Sequence, residues 1–337
     1  MFKRIKTAGN GKEYSYLEKS YRIGKKVKKI SFYLYVTGLK DFPKTNKKQI
    51  DQLTQITLDH IYKNLNISSY FEKDIVKKIE RYKIQFKLLW GLLDKDSQQE
   101  IMSEFFTRFL VNNMVMEGAT ITYSSAERIN KVLKKTKNKS KIIKLPNVSD
   151  EDVRLYIQLN EARKLLNKKS IRTAKNIADL HKVIYKNIYS FAGEFRKVDV
   201  TFGDPFIELA NTLQWHEIRE GYNKAISNFT SSKGKKYDFE RIIDFHTFYQ
   251  KVHGFSDGNS RLGRLIMTNQ LLKHSYPPII IRATHSIRYR KSLVKAVNHK
   301  YMRDFLKLIY QEYKRTFEKF WFPRIEKKLK LDSALIK

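Results

Sequence analysis

Two amphipathic helical patterns flank one short glycine-containing loop in the second half of the chain. Apolar side chains recur at helical spacing through residues 237–252, and a second pattern runs from Ser260 to His274. Pro277 and Pro278 end the second pattern, because proline has no backbone N–H with which to continue a helix. Amphipathic helices must bury their apolar faces against other elements. The sequence therefore predicts a mainly helical fold.

Further patterns extend this prediction along the chain. Helical spacing recurs in residues 75–93, 94–113, 151–167, 170–189 and 288–313. Alternating Val198, Val200 and Phe202 within a segment that contains Gly and Pro predict a short β-hairpin between helices. The expected division is a small basic antiparallel β appendage at 1–45, a helical region at 46–145, a core at 146–315 and a basic tail at 316–337.

Composition limits the class of protein. Lys and Arg number 68 against 34 Asp and Glu, a formal net charge of +34 spread along all 337 residues. Such a charge attracts nucleic acid and acidic proteins, although a lysine-biased composition alone would produce it. The absence of cysteine excludes disulfides and Cys-based zinc sites. No apolar stretch approaches the roughly 20 residues that span a bilayer, so we expect a soluble, cytoplasmic protein without a membrane partner.

The loop and the following helix start suit phosphate binding. Residues 253–264 read His-Gly-Phe-Ser-Asp-Gly-Asn-Ser-Arg-Leu-Gly-Arg. A helix N-terminus offers unpaired N–H groups and the positive end of a dipole, and arginines three residues apart share one helix face. Glycine lets the backbone approach a ligand closely. The predicted phosphate-binding residues are Gly258, Asn259, Ser260, Arg261 and Arg264.

Two further side chains in this segment carry different chemistry. Asp257 supplies a hard oxygen ligand beside the phosphate site, which suits Mg²⁺. His253, with an ordinary pKa of about 6.5, could take a proton from an attacking hydroxyl.

This stretch resembles the motif of the Fic family, His-x-Phe-x-Asp/Glu-Gly-Asn-Gly/Lys-Arg-x-x-Arg. Gly254 stands where the family has proline, and Ser260 stands where it has Gly or Lys. The resemblance covers roughly residues 100–310 and implies a Fic-type helical core that moves AMP from Mg²⁺-bound ATP onto a Ser, Thr or Tyr hydroxyl of a target protein. It implies that His253 deprotonates the hydroxyl, that Asp257 holds Mg²⁺ and that Phe255 anchors the loop.

The likeness continues on both sides of the motif. Residues 180–181 and 192–196 resemble the family's approach to a β-hairpin flap at about 198–206, which would bind the target through strand pairing beside Val198, Val200 and Phe202. Tyr289 resembles the residue that borders the nucleotide base, and Ser286 stands where the family often has arginine.

A second motif lies upstream. Residues 113–118, Asn-Met-Val-Met-Glu-Gly, resemble the family's inhibitory sequence Ser/Thr-x-x-x-Glu-Gly/Asn, with Asn113 in place of the hydroxyl residue. The resemblance implies an N-terminal inhibitory helix from which Glu117 pairs with Arg264 and keeps it from the γ-phosphate.

Three other functions stay open. The same fold could remove AMP from a modified protein, with Glu117 positioning water, or transfer phosphate, as Doc-like members do with Lys at the position of Ser260. A nucleic-acid-binding protein with a vestigial Fic core is the alternative from another class. A homodimer is also left open.

Overall fold

The computed structural model describes residues 2–7, 9, 13–23, 26–36, 46–63, 70–135, 144–204 and 208–329. Within these ranges it contains twelve α-helices, which confirms the mainly helical prediction. The helices are α1 (Asn46–Lys63), α2 (Lys73–Trp90), α3 (Lys95–Val115), α4 (Tyr123–Lys135), α5 (Asp150–Lys168), α6 (Ala174–Tyr185), α7 (Ile218–Ser231), α8 (Asp238–Val252), α9 (Asn259–Lys273), α10 (Ser286–His299), α11 (Arg303–Thr316) and α12 (Phe322–Leu329).

An antiparallel sheet precedes the helices, as the sequence predicted. Its strands β1 (Phe2–Thr7), β2 (Glu13–Ile23) and β3 (Lys26–Val36) lie in the order β1-β2-β3. Phe2 pairs with Glu18 and Tyr14 pairs with Val36, and the β2–β3 register shifts between Ser15 and Tyr16. A shift of this kind inserts a residue into one strand and increases the local twist.

A two-stranded hairpin follows α6. It consists of β4 (Gly203–Asp204) and β5 (Glu208–Leu209), so regular pairing is confined to the end of the segment in which the sequence predicted it. Gly203 has a φ of 129°, and a Cβ there would lie 2.5 Å from the carbonyl oxygen of Glu208. Residues 205–207, which include Phe206 of the predicted flap, lie outside the described residues.

Helices α8 and α9 lie at the centre of the helical core. Gly263 permits their close approach, because a Cβ at this position would lie 2.4 Å from Nε2 of Gln250 and 2.9 Å from the ring of Tyr249. Helix α9 is buried on nearly all sides, including the polar residues Arg261 and Arg264. The chain therefore brings two cationic side chains into its interior at the start of this helix.

The C-terminal residues differ from the prediction of a basic tail. From Phe317 to Trp321 the chain forms a π-helical turn, and α12 continues to Leu329. Trp321 is fully buried and packs on Phe86 and Phe105. The apolar side chains of residues 316–329 are thus part of the core, whereas the lysines of this segment are exposed.

Buried clusters contain residues from both sides of position 146, so the regions predicted as 46–145 and 146–315 share their cores. The boundary between them stays a prediction. Among the described residues, no helix has both the length and the apolar character needed to cross a bilayer.

Candidate active site

His253 ends α8 in a left-handed backbone conformation with φ 45° and ψ 53°. Its Nδ1 lies 3.2 Å from the carbonyl oxygen of Gln250, which can only accept, so Nδ1 carries the hydrogen and Nε2 is left as the acceptor. The ring stacks on Phe202 with centroids 4.6 Å apart. Burial lowers the pKa of His253 to about 4, and the imidazole is therefore neutral near pH 7. A neutral imidazole with a defined acceptor nitrogen can serve as a general base.

The loop after His253 is held by internal contacts. The side chain of Asn259 accepts a hydrogen bond of 3.0 Å from the N–H of Phe255 and donates one of 2.6 Å to its carbonyl oxygen. Phe255 is fully buried and stacks on His181 at 3.8 Å. The amide of Asn259, which the sequence analysis assigned to phosphate, is therefore engaged in fixing the loop.

Gly254 occupies a tight space at the start of the loop. Its N–H donates a 3.0 Å hydrogen bond to the hydroxyl of Tyr222, and a Cβ would lie 2.6 Å from the Tyr222 ring and 2.8 Å from Ile218. Because this chain has glycine here and not proline, the backbone N–H of residue 254 is present and donates to Tyr222.

Gly258 caps the N-terminus of α9 with a φ of 84°. A Cβ here would lie 2.4 Å from the ring of Tyr185, and both constraints require glycine. The N–H of Gly258 donates to Oδ1 of Asp257 at 2.6 Å, so Asp257 occupies this predicted donor of the anion hole. The first N–H groups of α9, including that of Ser260, have no partner within the helix and point towards the loop.

Asp257 lies half-exposed beside this helix start. Its Oδ2 accepts hydrogen bonds of 2.7 Å from the hydroxyl of Tyr189 and 2.7 Å from the guanidinium of Arg261. Burial raises the pKa of the carboxyl, but the Arg261 charge and the bonds from Tyr189 and Gly258 outweigh burial and hold the pKa below its usual value. The carboxylate is therefore charged and can contribute one oxygen ligand. The described residues contain no group of three or more His, Asp or Glu side chains that could hold a metal by themselves.

His181 positions the main chain of Asp257. Its Nδ1 accepts a 3.0 Å hydrogen bond from the N–H of Gly193, so Nε2 carries the hydrogen and donates to the carbonyl oxygen of Asp257 at 3.0 Å. Burial lowers the pKa of His181 to about 4. In the sequence, His181 stands out only through the family resemblance of residues 180–181, which implies no role for it.

Arg196 connects the loop to the base of the hairpin. Its buried guanidinium donates to the carbonyl oxygens of His253 at 2.8 Å, Val198 at 2.6 Å and Leu213. Its own N–H donates to the carbonyl oxygen of Gly254 at 2.9 Å. One side chain thus fixes three separate stretches of backbone, and no local pattern in the sequence indicated this function.

Arg264 is 2% exposed and is bound from α3. A terminal nitrogen donates to Oε1 of Glu117 at 2.8 Å and to the carbonyl oxygen of Asn113 at 2.9 Å, while Nε donates to the Asn113 side-chain oxygen. The amide of Asn113 also donates to the carbonyl oxygen of Arg261 at 3.1 Å. The expected Glu117–Arg264 ion pair is present, and Asn113 adds contacts that the sequence analysis did not anticipate.

Tyr289 lies beneath the guanidinium of Arg264, which is 5.6 Å from its ring centroid. The ring is 1% exposed, and its hydroxyl donates at 2.7 Å to Nε2 of His246, whose Nδ1–H donates at 3.2 Å to the carbonyl oxygen of Gly263. Tyr289 therefore supports Arg264 from below. Its contact with a nucleotide base stays a prediction.

The predicted flap residues lie at different depths. Val198 is 62% exposed, whereas Val200 and Phe202 are partly buried and Phe202 covers the imidazole of His253. The N–H of Ala210 donates to the carbonyl oxygen of Phe202 at 2.7 Å. The hairpin therefore reaches the candidate base, and target binding along it stays a prediction.

Comparison with known proteins places this site in a family. Residues 172–271, which include the whole loop and most of α9, match the Fic/DOC family model. The protein adenylyltransferase Fic of Culex quinquefasciatus is 28% identical over 164 residues, which cover 48% of this chain and 32% of that protein. The enzyme of the same name from Nematostella vectensis is 24% identical over 229 residues, which cover 65% of this chain and 49% of that protein. The chain thus matches a third to a half of the length of these relatives.

Solved structures share the fold. Fic-1 of C. elegans (residues 134–508) superposes with a TM-score of 0.62 at 17% identity, covering 83% of this chain and 78% of that chain. A Fic domain containing signaling protein from Bacteroides thetaiotaomicron superposes with a TM-score of 0.61 at 18% identity, covering 76% of this chain and 100% of that chain. Residues 172–271 thus match the Fic/DOC family model, and the chain has the fold of solved Fic proteins.

Proposed function

We propose that the protein is an adenylyltransferase that moves AMP from ATP onto a hydroxyl of a protein. One observation carries the proposal: a neutral histidine, a charged carboxylate and two guanidinium groups meet at the N-terminus of α9. The hydroxyl oxygen attacks the α-phosphorus while Nε2 of His253 takes its proton. The bond from the α-phosphorus to the bridging oxygen breaks, and pyrophosphate leaves.

Magnesium enters with ATP as part of the substrate. Mg²⁺ is commonly bound by one or two carboxylates together with substrate phosphates, and Asp257 fits this requirement because its side chain is half open to solvent. Arg261, now 2.7 Å from Oδ2 of Asp257, is the cation that would turn towards the phosphates. The free N–H groups at the start of α9 would accept the negative charge of the same phosphates.

Glu117 would inhibit this reaction. Its carboxylate occupies a terminal nitrogen of Arg264 that a γ-phosphate would otherwise use. ATP bound without this contact would hold its α-phosphate out of line with the hydroxyl, and a displacement of about 1 Å can lower a rate about 100-fold. The names of the relatives support adenylyl transfer, and the position of Glu117 supports its control.

Intact-protein mass spectrometry after incubation with ATP and Mg²⁺ tests the proposal. We expect the Glu117→Gly variant to gain the mass of one or more AMP groups, the wild type to gain less, and His253→Ala to gain none. An unmodified Glu117→Gly variant would contradict adenylyl transfer. Equal modification of the wild type and Glu117→Gly would contradict inhibition.

The same measurement separates the alternatives. A gain of phosphate mass would indicate phosphoryl transfer. Loss of AMP from a previously modified sample, dependent on Glu117, would indicate the removal reaction.

A further inference from the structure

A pocket of about 240 Å³ lies behind α3. Val111 and Asn112 of α3 line it, whereas Asn113 of the same helix and Glu117 of the turn that follows it do not line it and instead contact Arg264. Tyr123, Ile280 and Phe320 supply apolar walls. The pocket is therefore separate from the nucleotide site but shares the inhibitory helix with it.

Cations dominate the lining of this pocket. Five basic side chains reach it, and within the described part of the chain two carboxylates pair with three of them. Glu312, 1% exposed, pairs with Arg282 at 3.0 Å, and Glu104 pairs with Arg108 at 3.0 Å and with Arg324 at 2.7 Å. The basic lining residues are Arg108, Arg282, Arg315, Lys319 and Arg324.

Two of these cations lack a carboxylate partner among the described residues. Arg315 and Lys319 form no ion pair with any residue that the structure describes, and both are exposed residues of the pocket lining, four positions apart. Like charges gathered around an apolar wall repel one another, and an anion between them removes this cost. Guanidinium forks bind phosphate oxygens in pairs, which makes phosphate a suitable anion.

We propose that this pocket binds a small phosphate-bearing anion. The volume suits a phosphate group with few further atoms, and the guanidinium groups of Arg108 and Arg324 stack on the rings of Tyr123 and Phe320, at 4.5 Å and 4.1 Å from the ring centroids. Inorganic phosphate and a phosphorylated metabolite share this chemistry.

Binding in the pocket would act on α3. Arg324 of α12 ties α3 through Glu104, and the N–H of Ala283 donates to the Asn112 side-chain oxygen at 2.9 Å. A phosphate that takes the guanidinium groups of Arg324 and Arg108 releases Glu104 and weakens the first of these ties. The helix then withdraws Glu117 from Arg264 more readily. This regulatory consequence, unlike the site itself, rests on the proposed function.

Isothermal titration of the full chain with inorganic phosphate tests the site. Arg315→Glu is compared with Lys314→Glu, which makes the same charge change one residue away, outside the pocket and on the exposed side of α11. Both variants keep the candidate phosphate-binding groups at the start of α9. Only the difference between their phosphate affinities therefore reports on the pocket. We expect Arg315→Glu to weaken phosphate binding about tenfold or more relative to Lys314→Glu, with Lys319→Glu behaving like Arg315→Glu. Equal binding by all three variants would overturn the proposal.

Hydrogen exchange tests the regulatory consequence without any catalytic readout. Phosphate is expected to speed amide exchange in residues 108–118 of the wild type and to leave that of Arg315→Glu unchanged. Unchanged exchange in a phosphate-saturated wild type would overturn the link to α3. If phosphate binds as expected but no variant transfers AMP, the proposed function fails while the site stands. Separate titrations with inorganic phosphate and with a small phosphate monoester such as glycerol phosphate distinguish the two sources of this chemistry.

Discussion

Asn113 binds Arg264 at two points, with its side-chain oxygen on Nε and its carbonyl oxygen 2.9 Å from a terminal nitrogen. The hydroxyl residue of the family's inhibitory motif could not reproduce both this contact and the 3.1 Å bond from the Asn113 amide to the carbonyl oxygen of Arg261. The orientation of Arg264 is therefore set by α3 even without the carboxylate of Glu117.

Replacing Asn113 with alanine should destabilise the protein. The change leaves Nε of Arg264 buried without its partner, and an unsatisfied buried polar group costs about 1–3 kcal/mol. Urea denaturation should show a lower free energy of unfolding for Asn113→Ala, and Asn113→Ser should lose less because it keeps an oxygen. The change Glu117→Gly should have a smaller effect on stability, because its carboxylate is partly exposed. An Asn113→Ala protein as stable as the wild type would contradict this account of Arg264.

Stability should fall as the pH drops from about 6.5 towards about 4. Burial lowers the pKa of His181 and His253 to about 4 and that of His246 to about 3. An unfolded histidine has a pKa near about 6.5, so in this range the unfolded chain binds more protons than the folded one and is stabilised relative to it. The loss should reach a few kcal/mol in total, on the order of 1 kcal/mol or more for each group.

Urea midpoints measured between pH 4.5 and 7.5, a range of about three units around the histidine value, check this pH dependence. The variant His246→Asn should show a shallower dependence, whereas His216→Gln, at an exposed position, serves as the control. A flat profile for the wild type would show that these histidines are not buried in the neutral form.

Restoring the family's proline at position 254 should be harmful here. Gly254→Pro removes the N–H that binds Tyr222 and places ring atoms where a Cβ alone would come within 2.6 Å of that side chain. Overpacking of this kind costs about 1–3 kcal/mol, and the lost hydrogen bond adds to it. Thermal unfolding compares Gly254→Pro with Tyr222→Phe, which removes only the hydroxyl and should cost less. A Gly254→Pro protein with the melting temperature of the wild type would refute the packing described for this loop.

Arg196→Lys should uncouple the loop from the hairpin base. A single ammonium group cannot reach the carbonyl oxygens of His253, Val198 and Leu213 together, since a guanidinium presents its donors in a planar fork. We expect a loss on the order of 3 kcal/mol in the free energy of unfolding, with AMP transfer reduced more than ATP affinity. Denaturation and single-turnover rates measure both effects, and the exposed Arg219→Lys is the matched control. Equal rates in the two variants would exclude a positioning role for Arg196.

Local patterns predicted the elements that position the site. The helical spacing of apolar residues before His253 and after Asn259 is a local property of the sequence, as is the stop at Pro277 and Pro278. Helices α8 and α9 form where this spacing predicts them. His253, Asp257 and Arg264 lie together because the sequence separates them by one loop and one helical turn. The expected contact of Glu117 with Arg264 came from a family motif, because no local rule connects residues 147 positions apart.

Polar pairing could not be predicted in this way. The sequence does not show whether the Asn259 amide faces a ligand or Phe255, nor that the N–H of Gly258 is used by Asp257. Such choices depend on which acceptor lies nearest after packing. The basic residues within 316–329 likewise gave no indication that Trp321 is buried. The lysines around this residue are exposed, whereas its ring packs on Phe86 of α2.

The left-handed backbone of His253 has a consequence for how this protein can change over time. A non-glycine residue at a φ of 45° is strained, and asparagine or glycine tolerates that conformation better than histidine. A replacement such as His253→Asn would therefore relieve conformational strain and at the same time remove the proposed general base. Backbone stability and the proposed proton transfer therefore place opposite demands on this one position.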